Sequence, residues 1–145
     1  HVYKIVTFGI QTWMAENLVY KPNSGGWQLN GSDESKRFVY GHQYNRETAR
    51  TACPAGWHLP TDDAWTQLLN YFGGKNAAGS ALTQSVFVAT LIGDGQSYWT
   101  WITSTEEKKS FNVVKLNFNS KSIDFENRQI KKYGDWFFSV RCVKD

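Results

Sequence analysis

The stretch Cys53-Pro54-Ala55-Gly56-Trp57-His58-Leu59-Pro60-Thr61 constrains this chain more than any other. It contains two of the three prolines and one of the two cysteines. Pro54 biases Cys53 away from the α region, so a helix arriving over Arg46–Ala52 must stop there. Ala55-Gly56 reads as a turn in which Gly56 can take a positive φ. Pro60 fixes the backbone ahead of Thr61, which is a good N-cap. Asp62 and Asp63 then place negative charge in the first helical turn, where the helix dipole favours it. Trp65, Leu68, Leu69 and Phe72 recur at i, i+3, i+4 and i+7 and define one apolar helix face, and Gly73-Gly74 ends the helix. The stretch therefore reads as a rigid corner that joins helices to a small sheet. Core and corner packing is the ordinary role for Trp57, Trp65 and His58.

The remainder of the chain supplies the sheet. Residues 2–8 are β-branched and aromatic, and Gly9 turns them into a second strand over residues 11–15, as a hairpin. Residues 22–35 are rich in Asn, Ser and Gly and read as a long loop whose large apolar residues are Trp27 and Leu29. A short apolar stretch over residues 38–44 precedes Asn45, which can cap the helix over Arg46–Ala52. Residues 73–97 read as a Gly-, Ala- and Ser-rich connection with a short apolar segment at Val86-Phe87-Val88-Ala89. Strands follow over residues 98–103 and 113–118, with Ile123 and Phe125 on a return strand after the turn at Asn119-Ser120. Residues 136–143 form the last strand. Phe138, Val140 and Cys142 face one way on it, and Phe137, Ser139 and Arg141 the other.

With Asp62, Asp63, Ala64 and Trp65, the corner resembles the ACPSGWHLPSDAEW signature of the Fibrobacter succinogenes major paralogous domain. Three further stretches resemble that family in the same order: residues 9–18 (GIQTWMAENL), 40–45 (YGHQYN) and 138–145 (FSVRCVKD). Ser104-Thr105-Glu106 is similar to the end of the family's WWSSTE, with Trp101 matching its first Trp and Ile102 replacing the second. The resemblance spans nearly the whole chain. It implies an α+β, C-type-lectin-like or formylglycine-generating-enzyme-like fold, with two helices packed on a small, twisted, mainly antiparallel sheet with long loops. It also implies a protein of gut or rumen Bacteroidetes or Fibrobacteres that is extracellular, anchored at the outer membrane as a lipoprotein, or periplasmic. The chain departs from the family in two places. The cysteine pair many members carry in the 22–35 region is absent. The family's longer GFSALPGGYR segment is abridged to Phe87-Val88-Ala89-Thr90-Leu91.

Cys53 and Cys142 lie 89 residues apart, one after a helix and one in the terminal strand. They fit one long-range disulfide, which the family resemblance favours; the alternative is two buried free thiols in a reducing compartment. With 145 residues the chain has the size of one domain with one core. It begins at His1, so residues 1–145 are read as a single monomeric domain excised from a larger or processed protein. The formal charge of +3 is mild, and Lys108-Lys109 and Lys131-Lys132 read as solvated pairs. No basic stripe is interleaved with aromatics, so nucleic acid is not an expected partner. No apolar run approaches the roughly 20 residues that a membrane-spanning helix needs.

Catalytic motifs are missing. His1, His42 and His58 are far apart, no Cys-x-x-Cys or His-x-x-His spacing occurs, and neither metal nor other cofactor is expected. No nucleophile elbow, P-loop or dinucleotide fingerprint is present. Relatives of this fold that oxidise a substrate cysteine need a reactive cysteine pair, and both cysteines here are assigned to the disulfide. The Glu-Pro-Asn and Trp-Asn-Asp triplets of calcium-dependent lectins are also missing, leaving Asp94, Glu106 and Glu107 as weak oxygen donors. Aromatic residues remain. They make up 16% of the chain and include seven tryptophans, which either fill a core or mark a binding surface. Trp27, Tyr98, Trp99 and Trp136 stand in polar, loop-like surroundings and are the candidate exposed rings. The expected function is a non-catalytic binding module that recognises a glycan or a cell-surface protein. The alternatives are a structural spacer of a surface assembly and, less favoured, an enzyme.

Overall fold

The computed structural model describes residues 1–30, 34–85, 87, 97–131 and 136–145. Strands β1 (Ile5–Phe8) and β2 (Gln11–Met14) form the hairpin that Gly9 predicts. β3 (Trp27–Leu29) lies inside the stretch expected to be a loop and pairs with β4 (His42–Tyr44). Between them a 3-10 turn at Glu34–Lys36 runs into the short helix α1 (Arg37–Tyr40). Helix α2 (Arg46–Ala52) starts where the side chain of Asn45 accepts the Thr48 amide, and it ends at Cys53. The corner follows, with Gly56 at φ 86°, and includes β5 (Trp57–His58).

Helix α3 (Asp62–Tyr71) is capped by Thr61, whose hydroxyl accepts the Ala64 amide at 3.1 Å. Trp65, Leu68 and Leu69 are buried and Phe72 packs partly buried against the same core, as their spacing predicts. The Asp62 carboxylate also accepts from Thr103 and Asn112, tying the first turn of α3 to the main sheet.

Helix α4 (Lys75–Thr83) follows within a stretch that reads as a loop. Its alanines are strong helix formers, and Ala78 and Leu82 are buried in the core. Gly79 lets α4 approach the turn before Ser122 so closely that a methyl group there would run into the Lys121 carbonyl. Gly79→Ala is therefore expected to destabilise the protein by roughly 1–3 kcal/mol through overpacking, although alanine is the better helix former. A denaturant midpoint equal to or above that of the wild type would show that the helix can shift away.

Strands β6 (Tyr98–Glu107), β7 (Ser110–Asn117) and β8 (Ser122–Gln129) form an antiparallel meander. The expected last strand is two short ones. β9 (Phe138–Ser139) pairs with β4 antiparallel and with β6 parallel, whereas β10 (Val143–Lys144) lies between β2 and β5 in another sheet. Residues 138–143 are all buried, so their alternation does not separate a core face from a wet one. The two sheets have the orders β1-β2-β10-β5 and β3-β4-β9-β6-β7-β8. The described residues thus form an α+β fold of four helices and two sheets. This overturns the expected C-type-lectin-like arrangement of two helices on one small sheet. The physical reason is the buried tail, which leaves one sheet after Ser139 and enters the other at Val143.

The tail is held in two ways. Cys53 and Cys142 are disulfide-bonded, joining the end of α2 to the segment between the sheets. Arg141, 1% exposed, donates through Nε to Asn17 Oδ1 at 2.9 Å and through a terminal nitrogen to the Phe87 carbonyl at 2.7 Å. Trp101 donates to the same Asn17 oxygen at 2.8 Å. Burial pushes the Arg141 pKa down to about 9, so the guanidinium still carries its charge at neutral pH. Its centre lies 4.3 Å from the Phe87 ring centroid. Trp13, Trp65, Trp99 and Trp101 are all core residues, so packing accounts for much of the aromatic content.

Candidate functional site

The six-stranded sheet brings Tyr98, Trp99 and Trp136 to one shallow depression of about 190 Å³. Asn30, Gln43, Thr100, Arg128 and Ser139 supply polar groups to its wall. Tyr98 and Trp136 present their rings, at 45% and 39% exposure. Trp99 does not. It is 3% exposed, and its indole nitrogen donates to Ser139 Oγ at 2.9 Å, so it belongs to the core under the depression. Trp27 stands apart from the other three. Register places it opposite Tyr44, while Gln28 and Gln43 share the other face of that strand pair and bond to each other at 2.9 Å. The Trp27 ring lies half-buried against His42, 4.7 Å between centroids, and packs on the second of two core clusters, that of Met14, Tyr44, Phe138 and Val140, the first being that of Trp13, Trp65, Trp99 and Trp101. The expectation that loop-borne rings lack apolar company thus fails for Trp27 and Trp99. β3, which the sequence pattern does not show, pairs Trp27 with β4, and β9, inside the expected last strand, brings Ser139 to Trp99.

Cations gather around the exposed rings. Lys115 sits opposite Thr100 in the β6–β7 register, diagonal to Tyr98, and its Nζ lies 4.4 Å from the Tyr98 ring centroid. Trp136 has Lys131 Nζ at 4.2 Å and the Arg128 guanidinium at 5.0 Å. Such contacts contribute about 0.5–1 kcal/mol each at exposed positions. Glu126 bridges Lys115 at 3.5 Å and Arg128 at 2.9 Å. Two donors in the wall, Asn30 Nδ2 and Arg128 Nε, are buried without an acceptor among the described residues. Sequence reasoning missed Lys115 and Arg128; it reads Lys131 as solvated, and Lys131 is indeed exposed, with its ammonium over the Trp136 ring. One signal was available. Lys115 and Asn117 on one strand, and Asp124, Glu126 and Arg128 on the next, recur at period two and so share one face of the meander.

A second depression of about 270 Å³ adjoins the first and also has Trp136 in its wall, together with Arg46, Glu47, Phe111, Ile130 and Lys131. Arg46 and Arg50 both pair with Glu106, at 2.8 and 2.9 Å. A larger hollow of about 450 Å³ lies beside the disulfide, where the Tyr3 hydroxyl accepts the Val19 amide at 3.0 Å.

The groups with displaced pKa values lie outside the two depressions. Burial raises Tyr44, whose hydroxyl donates to the Tyr20 carbonyl at 2.6 Å. Burial also raises Tyr3, and the hydrogen bond from Lys75 lowers Asp124. Among the described residues no three His, Cys, Asp or Glu side chains converge as a metal would require. Asp94, named above as an oxygen donor, lies outside the described residues, as do Val86 and residues 88–91. No described helix is long and apolar enough to cross a membrane.

No curated protein and no solved structure matches the chain. A family model does. The model of the Fibrobacter succinogenes major domain covers residues 6–137, and the chain belongs to that family.

Proposed function

We propose that this domain is a non-catalytic glycan-binding module of an exported bacterial protein, displayed at the cell surface. The observation that carries this reading is the pairing of two exposed rings, Tyr98 and Trp136, over one depression walled by amide and hydroxyl groups. A sugar presents an apolar CH face that stacks on such rings, and its hydroxyls take the neighbouring amides. Rings held in place lose little entropy on binding. The Cys53–Cys142 bond supports export, because disulfides persist in oxidising compartments. A depression this small binds weakly on its own, and display in several copies raises the apparent affinity.

The test is a glycan array probed with the wild type and with Trp136→Ala. The variant is expected to lose binding about tenfold or more, while its thermal midpoint stays close to that of the wild type, since exposed substitutions usually change stability by less than about 0.5 kcal/mol. Binding that survives Trp136→Ala and Tyr98→Ala unchanged would reject this face. A structural spacer is the second reading. The burial of Trp13, Trp65, Trp99 and Trp101 favours it, because it leaves few rings for recognition.

A further inference from the structure

Both exposed rings of the face already carry a cation: Lys115 over Tyr98, and Lys131 and Arg128 beside Trp136. A neutral sugar that stacks on Trp136 must displace Lys131 from the indole and leave it without compensation, because Lys131 has no carboxylate partner among the described residues. A sugar bearing an oxyanion stacks on the same ring and pairs with the displaced ammonium. Arg128 and Asn30 line the first depression beside it and add a cationic and an amide side chain to its wall.

The charge balance points the same way. Glu126 is shared between Lys115 and Arg128, and Glu106 between Arg46 and Arg50, so each carboxylate leaves one cation in excess. Lys131 adds a further positive charge, and Glu47 in the second depression offsets one of these. Among the described residues the face is therefore net positive. Its two depressions, of about 190 and 270 Å³, share Trp136. Each is smaller than the ~300 Å³ at which pockets for drug-sized ligands begin. A chain that crosses Trp136 fills both.

We infer that the ligand of this face is an acidic oligosaccharide of at least two units, bearing uronate carboxylates or sulfates, that spans the two depressions across Trp136. This rests on the glycan-binding reading above. The test titrates the folded, disulfide-bonded domain with three probe series of graded length: oligogalacturonates, chondroitin sulfate oligosaccharides and neutral cello-oligosaccharides. At least one acidic series is expected to bind more tightly than the neutral one. Its affinity should fall as salt is added and rise from one unit to several. The carboxylate and sulfate arms identify which oxyanion is read. Lys131→Gln should weaken the acidic probe about tenfold, the size of one charge-assisted hydrogen bond, change the thermal midpoint little, and tighten any neutral binding, because no ammonium then has to leave the indole. Equal, salt-insensitive binding of neutral and acidic probes overturns the inference while leaving the glycan-binding reading intact. An acidic monosaccharide as tight as the longer chains overturns the span across Trp136. Binding of none of the three series overturns the inference, and the array with Trp136→Ala then decides the broader reading.

Discussion

Arg141→Ala is expected to destabilise the protein by on the order of 3–5 kcal/mol, measured by denaturant unfolding at neutral pH. The guanidinium is fully buried among Asn17, Phe87 and Trp101, with backbone carbonyls and an amide oxygen as its hydrogen-bond acceptors. Truncation leaves the Phe87 carbonyl without this donor and opens a cavity between the two core clusters. Asn17 keeps the Trp101 indole, so the loss there is partial. Arg141→Met fills most of the volume and also removes a charge whose burial is costly, so it should recover part of the loss. A pH series separates charge from packing. The folded pKa lies near 9, below the ordinary 12.5, because burial disfavours the charged form. Between those values the unfolded chain binds more protons at this site, so its contribution to stability rises with pH above about 9. Below that pH the whole cost of burying the charge is present. The difference in stability between wild type and Arg141→Met should therefore shift in favour of the wild type as pH rises from 8 to 10. A difference that is flat with pH would mean that the charge is already compensated inside the protein.

Reduction of Cys53–Cys142 is the second large effect. The bond closes a loop of 89 residues, for which chain entropy predicts a stabilisation of roughly 4–5 kcal/mol. It also clamps the segment between β9 and β10 to the end of α2, so reduction frees the crossing point of the two sheets as well as the unfolded chain. Denaturant unfolding with and without reductant measures the effect, and Cys53→Ala with Cys142→Ala repeats it without thiol chemistry. Coincident unfolding curves for the oxidised and reduced protein would show that the tail is held by packing and by Arg141 alone.

The parts of the fold that were legible in the sequence are those whose causes are local. Thr61 with Asp62 and Asp63 starts α3 by capping and charge, and the i, i+3, i+4 face from Trp65 to Leu69 marks its buried side. Asn45 and Pro54 bracket α2 in the same way. α4 was hidden because alanine and glycine give little periodic contrast, and its apolar face rests on two buried side chains, Ala78 and Leu82. β3 was hidden because three residues in a Gly- and Asn-rich stretch become a strand only when β4 is beside them.

The candidate site divides along the same line. The residue types of Tyr98 and Trp136 were readable as candidate rings, and their exposure agrees with that reading. Trp99 and Trp27 were misread because burial depends on partners distant in sequence: Ser139 for one, His42 and Tyr44 for the other. Period two puts Lys115 and Arg128 on one face of the meander, but which rings they and Lys131 meet depends on strand register and the return of the tail.

By itself the sequence determined the corner at residues 53–61, the caps and buried face of α3, the hairpin at Gly9 and the α+β character of the chain. Each depends on a few consecutive residues acting through φ preference, capping or periodicity. The tertiary structure alone decided that there are two sheets, that the tail divides between them, and that a buried arginine sits at the crossing. Those outcomes depend on which distant backbones find each other's hydrogen-bonding edges. Residues 138–143 are covered on both faces, and a segment with no wet face carries no alternation from which its neighbours could be read.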